Sequence, residues 1–142
     1  MATRLNLARI LLLAGIAVGL LSWRESVEHI GNPDFRVPGY TLAPSRSWYH
    51  VFREVCGDVA KMAVFLLLFF GRSSWRTPVA WWIGLILMVG YYAPFWIGEP
   101  FLPDLAAPNR TASIIHMAMA MLSLLALVVA RPLFEPTAEA SR

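Results

Sequence analysis

The chain has 142 residues, of which 58% are hydrophobic and 15% are charged. A soluble domain of this size is closer to half apolar and a quarter charged, so the composition argues against a soluble globular protein. The formal net charge is +3, its basic residues form no dense run, and Cys56 has no second cysteine to pair with. We therefore predict no nucleic-acid partner, no intrachain disulfide and no cysteine-based metal site.

Four apolar segments predict an all-α integral membrane protein, a bundle of four transmembrane helices. The segments cover about residues 5–23, 52–70, 78–97 and 111–130. Each has about 19–20 residues, which is enough to cross a hydrocarbon core of roughly 30 Å at 1.5 Å per residue. Four strands cannot close a barrel, so helices are the structure that satisfies the backbone in lipid. The predicted transmembrane domain is residues 1–134, and residues 135–142 form a short polar tail.

The first segment follows two arginines, as the apolar part of a signal peptide does. Its exit, residues 21–24, lacks the small-x-small pattern of a cleavage site, so we expect an uncleaved span. Gly15 and Gly19 form a G-x-x-x-G motif, which favours close helix packing within the chain or between two copies. The connection that follows, residues 24–47, is rich in Pro and Gly and predicts turns and extended chain over the outer mouth of the bundle.

The second segment carries an unusual set of charged residues. His50, Glu54 and Asp58 are spaced four apart and Lys61 follows three later, which places all four on one helix face. Counting back from Arg72, Asp58 lies roughly 10 Å deep and Lys61 lies near the midplane. A charge at that depth costs about 2.5–3.5 kcal/mol on insertion scales, so we expect both side chains to face the bundle interior.

The third and fourth segments add polar side chains at a similar depth. Tyr91 and Tyr92 precede Pro94, which removes a backbone donor and frees the Gly90 carbonyl. His116 lies on a stripe of small residues in the fourth segment, about 7–8 Å from the outer boundary. We predict one ligand-binding polar pocket in the outer leaflet, formed by Glu54, Asp58, Lys61, Tyr91 or Tyr92, and His116.

Each of these features also has a structural interpretation. The spacing of His50, Glu54 and Asp58 suits a metal or proton site, but it also suits the polar start of an amphipathic helix. Because no H-E-x-x-H pattern is present, we predict no metal. Asp58 and Lys61 form either an ion pair that fixes helix packing or a substrate or proton site. His116 makes an interhelical hydrogen bond or ligates haem, although no second histidine lies at matching depth. We predict no cofactor, with haem or a metal ion as the alternatives.

The distribution of arginine predicts the orientation in the membrane. With the N-terminus inside, the inner segments are much shorter than the outer ones and hold a similar number of arginines. The positive-inside rule therefore favours both termini in the cytoplasm, and we expect a multi-pass protein of the bacterial inner membrane.

Four spans in 142 residues, a long first connection and the tripeptide Pro108-Asn109-Arg110 resemble the membrane-associated glutathione-transferase and eicosanoid group. The second span of that group carries an Arg, Asn and Glu pattern that contacts glutathione. Residues 53–58 here contain Arg53 and Glu54 but lack the Asn, and the expected orientation is the opposite one. We therefore assign no family and transfer no residue roles.

The sequence contains no specific catalytic motif, and little of the chain remains outside the predicted spans. We expect a small accessory or assembly subunit, not an enzyme, that packs in the lipid bilayer against larger membrane proteins or against itself. The alternative is a small membrane enzyme or carrier that handles a lipophilic molecule in the polar pocket. Asp58 would then be the base or counter-ion, His116 the acid/base group and Lys61 an anion clamp.

Overall fold

A computed structural model of the protein describes residues 2–28, 46–101 and 109–135, and every regular element in those ranges is helical. The four long helices are α1 (Ala2–Glu28), α2 (Arg46–Phe70), α3 (Pro78–Ala93) and α4 (Arg110–Ala130). The shorter elements are the 3₁₀ turns Ser73–Trp75 and Arg131–Leu133, the π-helix Pro94–Gly98 and the turn Glu99–Phe101. Most of the predicted 24–47 connection, and the tail after Glu135, lie outside the described residues.

Local sequence signals explain where α3 and α4 begin and where α3 changes. The Thr77 side chain caps α3 by accepting a hydrogen bond from the Ala80 amide at 3.1 Å, and Pro78 occupies the first turn. Asn109 caps α4 in the same way, accepting from the Ala112 amide at 2.9 Å. At Pro94 the missing N–H interrupts the α-helical ladder, and the chain continues as a π-helix.

Contacts between the helix ends establish an alternating arrangement. Arg9 Nε donates to the Phe69 carbonyl at 2.9 Å, and the Phe69 and Phe134 rings lie 6.4 Å apart, so the start of α1 meets the ends of α2 and α4. At the opposite end of the bundle, Ser22 Oγ of α1 lies 2.9 Å from His116 Nε2 of α4. Neighbouring helices therefore run in opposite directions, as the predicted order of spans requires.

The pair α1 and α4 packs more closely than any other pair of described elements. A Cβ atom built on Gly15 would lie 2.5 Å from Ser123 Oγ and 3.2 Å from the Met119 carbonyl oxygen, so only glycine fits there without a shift. Gly19 faces the same Met119 side chain. The G-x-x-x-G motif is thus used within the chain, where it allows the two backbones to approach.

At the end of α4, one backbone carbonyl loses its helical hydrogen bond and accepts one from a side chain instead. Because Pro132 has no N–H to donate, the Arg131 amide bonds to the Val128 carbonyl and the helix tightens into a 3₁₀ turn. The Leu127 carbonyl instead accepts a hydrogen bond from Trp81 Nε1 at 3.0 Å, and this contact is buried. The indole therefore ties the start of α3 to the end of α4.

Replacing Trp81 with phenylalanine should lower the free energy of unfolding by about 1–3 kcal/mol, because it leaves the Leu127 carbonyl without its buried donor. The matched control is Trp82→Phe on the neighbouring position, where the side chain is 56% exposed. The measurement is the thermal midpoint of both variants in the same detergent. Equal midpoints for the two variants would contradict the role given to the indole.

Three of the four long helices are long and apolar enough to cross a membrane: Ala2–Arg24, Pro78–Gly98 and Arg110–Leu133. Their outward faces carry large exposed apolar side chains, among them Ile10, Ile86 and Val128. This is compatible with a multi-pass membrane protein. Helix α2 differs because Arg53, Glu54, Asp58 and Lys61 interrupt its apolar sequence, so a fourth crossing stays a prediction.

Candidate functional site

The four long helices enclose a cavity, here called the interhelical cavity, and each contributes to its wall. The cavity volume is about 80 Å³, and the cavity is open to the outside at its mouth. Leu, Ile, Met and Phe supply eight of the eighteen lining residues, and two glycines supply two more. The polar or polar-tipped side chains in the wall are Ser22, Trp23, Glu54, Asp58, Lys61, Tyr91, Tyr92 and Ser123. An apolar body with a few converging polar groups is the usual composition of a small-molecule site.

An ion pair stands in the α2 wall of the cavity. Lys61 Nζ lies 3.0 Å from Asp58 Oδ1, and 12% of the Asp58 side chain and 26% of the Lys61 side chain remain exposed. The same ammonium lies 3.1 Å from the centroid of the Tyr91 ring. The cation is therefore held between a carboxylate and an aromatic face, two partners that each offset its loss of hydration.

Asp58 keeps part of its hydrogen-bonding capacity in this arrangement. Its Oδ1 atom is buried, and the contact with Lys61 is close but not aligned as a hydrogen bond. Among the described residues no other donor takes it up. A carboxylate oxygen can accept more than one hydrogen bond, so this atom can still receive a donor from a molecule inside the cavity.

A hydroxyl pair joins α3 to α4 in the opposite wall. The Tyr92 hydroxyl donates to Ser123 Oγ at 3.0 Å, and both residues are buried. Because Gly15 has no side chain, α1 can approach α4 closely at Ser123. The hydrogen bond therefore lies where α1, α3 and α4 meet. The pair fixes the position of the Tyr92 ring, which forms part of the cavity wall.

His116 lies beside the cavity and does not line it. Its Nε2 atom is 2.9 Å from Ser22 Oγ, and its ring stacks on Phe95 with centroids 4.5 Å apart and planes 21° from parallel. Ser22 and Phe95 do line the cavity, so His116 supports two wall residues from behind. The interhelical hydrogen bond proposed for this histidine is present. Haem ligation through Nε2 would require that bond to break.

The predicted pocket residues divide into two groups. The residues that line one cavity are Glu54, Asp58, Lys61, Tyr91 and Tyr92. His116 contributes through Ser22 and Phe95, and His50, which begins the α2 polar face, is exposed. The structure thus brings the α2 and α3 residues together; their binding of a ligand stays a prediction.

Three polar wall residues were not among the predicted site residues: Ser22, Trp23 and Ser123. Trp23 is the most informative, because its Nε1 atom is buried and has no hydrogen-bond partner in the part of the chain that the structure describes. A tryptophan at the end of a predicted span is typical of the membrane interface, so its position along the chain does not mark it as a site residue. A usable signal existed, because Gly15, Gly19 and Trp23 follow at intervals of four and share one helix face.

The metal alternative raised by the α2 spacing has no support in the described ranges. Within them, no three His, Cys, Asp or Glu side chains come together as a metal-binding group. His50 and Glu54 are exposed, whereas Asp58 is turned to the cavity and paired with Lys61.

Comparisons with models of known protein families, with curated proteins and with solved structures find no match to this chain. The interhelical cavity and the residues that form its wall are therefore the features that indicate a function.

Proposed function

We propose that the protein is a multi-pass membrane protein that binds a lipophilic molecule in the interhelical cavity. The observation that carries this proposal is the buried Trp23 Nε1 atom in the cavity wall, which has no hydrogen-bond partner among the described residues. Buried polar atoms in folded proteins are nearly always hydrogen-bonded, because leaving one unpaired costs about 1–3 kcal/mol. A bound molecule with a polar end supplies the missing partner and fills the apolar space.

In the proposed arrangement, α2 is the fourth helix that crosses the lipid bilayer. The cavity-facing position of Asp58 and Lys61 supports it, because a paired charge turned toward other helices is the tolerated arrangement in lipid. The chain would lie in a bacterial inner membrane. The end of the bundle that carries Arg9, Arg72 and Arg76 would face the cytoplasm, in line with the positive-inside rule.

Arg76 in the α2–α3 connection illustrates the charge at that end. It donates to the Gly71 carbonyl at 3.3 Å. Partial burial and the positive charge of Arg9 lower the pKa of its guanidinium. An anionic lipid headgroup at this surface would relieve the repulsion between the two arginines.

The test is the identity of small molecules that co-purify with the protein. Extraction in mild detergent, solvent treatment and mass spectrometry should find one lipophilic compound enriched over a protein-free detergent blank. The double variant Asp58→Asn/Lys61→Met should retain about 10- to 100-fold less, because hydrogen bonds to charged groups contribute about 1.5–3 kcal/mol.

The matched control removes a different ion pair in the same way. Arg131 and Glu135 stand 3.8 Å apart at the other end of the bundle and are mostly exposed. The variant Arg131→Met/Glu135→Gln should therefore retain the compound at the wild-type amount. No enrichment in the wild-type protein, or equal retention in the Asp58/Lys61 variant, would overturn the proposal.

A second candidate function is an accessory subunit of a larger membrane assembly. The observation that favours it is Arg53 of α2, which is exposed and does not line the interhelical cavity. A partner helix with an acidic or carbonyl acceptor would satisfy this guanidinium. Affinity purification from native membranes tests this: a partner should be recovered with the wild-type chain and lost with Arg53→Gln, whereas Tyr49→Phe retains it. A monodisperse particle without any partner would contradict this role.

A further inference from the structure

The polar groups in the wall also define what kind of molecule the interhelical cavity accepts. Resting on the proposed function, we infer that the ligand is an uncharged lipid whose head group both donates and accepts a hydrogen bond, of which a hydroxyl is the simplest. Four observations lead to this class, two about hydrogen bonding and two about charge.

The ligand needs a hydrogen-bond acceptor because of Trp23. An indole nitrogen carries one N–H and can only donate. In this structure Nε1 of Trp23 is buried, and none of the described residues accepts from it. Since Trp23 lines the cavity, its Nε1–H can donate a hydrogen bond to a lone pair on a bound ligand.

A hydrogen-bond donor on the ligand has an acceptor in Asp58. Its buried Oδ1 atom is ion-paired with Lys61 Nζ at 3.0 Å but receives no aligned hydrogen bond among the described residues, so it can accept one more. Asp58 lines the same cavity as Trp23. A head group with both an O–H or N–H and a lone pair offers a partner to each kind of atom, which a ketone, an ester or a hydrocarbon cannot do.

The ligand carries no positive charge because Lys61 already occupies the place for a cation between Asp58 and the Tyr91 ring. A protein site for a lipophilic ammonium combines a carboxylate with aromatic faces. Here Lys61 supplies the ammonium itself, 3.0 Å from Asp58 Oδ1 and 3.1 Å from the centroid of the Tyr91 ring. A second cation would have to displace the lysine or lie beside it, and like charges repel at that distance.

The ligand carries no negative charge because the wall offers no free cation. Lys61 is the one basic side chain among the described lining residues, and Asp58 neutralises it. Glu54 at the same wall adds a second carboxylate. Taken together, two carboxylates and one ammonium disfavour the entry of an anion.

Three amphiphiles of equal chain length separate these classes: dodecanol, dodecylammonium and dodecanoate. Each is added at the same mole fraction to the detergent that holds the full chain, and native mass spectrometry measures the fraction of protein that retains it. Dodecanol should be retained about 10-fold or more above the two ions. Stronger retention of either ion by the wild-type protein would overturn the assignment.

The variant Trp23→Phe tests the donor without changing any charge. It keeps an aromatic ring in the wall and removes the N–H, so dodecanol retention should fall by about 2- to 10-fold, the effect of one hydrogen bond. Trp82→Phe, on an exposed face away from the cavity, should leave retention unchanged. Unchanged retention in Trp23→Phe would contradict the acceptor argument.

The variant Lys61→Met tests the charge argument by reversing the preference. It vacates the position between Asp58 and the Tyr91 ring, so dodecylammonium should now be retained about 10-fold more than dodecanol and should raise the thermal midpoint of the variant. A continued preference for dodecanol in folded Lys61→Met would count against the inference. Where this variant yields no folded protein, Trp23→Phe and the three-probe comparison decide the question alone.

The outcomes also separate this inference from the proposed function. Retention of an ionic probe in the wild-type protein, with loss of that retention in Asp58→Asn/Lys61→Met, would keep a ligand-binding function and reject the uncharged class. Retention of no probe, together with no enriched compound in native extracts, would reject both.

Discussion

Replacing Gly15 with alanine should destabilise the bundle by about 1–3 kcal/mol, the usual effect of overpacking a tight interface. The added Cβ atom would lie 2.5 Å from Ser123 Oγ, 3.1 Å from the Ser123 amide nitrogen and 3.2 Å from the Met119 carbonyl oxygen. Rotation of the Ser123 side chain would relieve the first contact but would break its hydrogen bond with Tyr92. The two backbone atoms can move only if α1 and α4 separate.

The control for this prediction is the same change at two other helical glycines. A Cβ atom on Gly57 of α2 or Gly90 of α3 would meet no heavy atom within 4 Å. There the substitution should stabilise the protein by about 0.5–1 kcal/mol, because alanine loses less backbone freedom than glycine when a helix forms. The measurement is reversible unfolding of the three variants in one detergent. A Gly15→Ala variant as stable as the other two would contradict the close approach of α1 to α4.

Removing one partner of the Asp58–Lys61 ion pair should destabilise the protein by about 3 kcal/mol. This value is the lower end of the range for buried ion pairs, and we expect it because Lys61 keeps 26% of its side-chain surface exposed. Lys61→Met should have the larger effect, since it leaves a carboxylate that is only 12% exposed without its counter-ion. Asp58→Asn should be milder, because the ammonium keeps the Tyr91 ring as a partner.

The double variant Asp58→Asn/Lys61→Met should be more stable than Lys61→Met, because no uncompensated charge remains in the cavity wall. The four proteins form a thermodynamic cycle, measured as free energies of unfolding in detergent. The exposed Arg131–Glu135 pair provides the comparison, because exposed ion pairs contribute about 0–1 kcal/mol. Additive effects at Asp58 and Lys61 would show that the two side chains are not coupled.

The sequence was sufficient for the parts of the architecture that follow from one helix at a time. The apolar segments place the helices closely, and the spacing of Glu54, Asp58 and Lys61 identifies the polar face of α2. These features depend on the apolar length and the helical repeat, which short stretches of sequence encode.

The parts that depend on how helices are rotated against each other were not accessible from the sequence. Counting residues gives the depth of His116 along α4 to within about one turn, but successive residues point about 100° apart around the axis. A rotation of that size decides whether the ring lines the cavity or contacts Ser22 and Phe95, as it does. Trp23 was missed for a related reason: tryptophan at a helix end is typical of the membrane interface, and its neighbours across the bundle decide otherwise.

The internal pairing of Lys61 with Asp58 has a consequence for how the protein responds to voltage. A charge that crosses the full electric field of an energised bilayer gains or loses about 2.3 kcal/mol per 100 mV. An uncharged guest moves no net charge through that field when it enters or leaves the cavity. For the uncharged ligand inferred above, occupancy of the cavity should therefore be the same in polarised and depolarised vesicles.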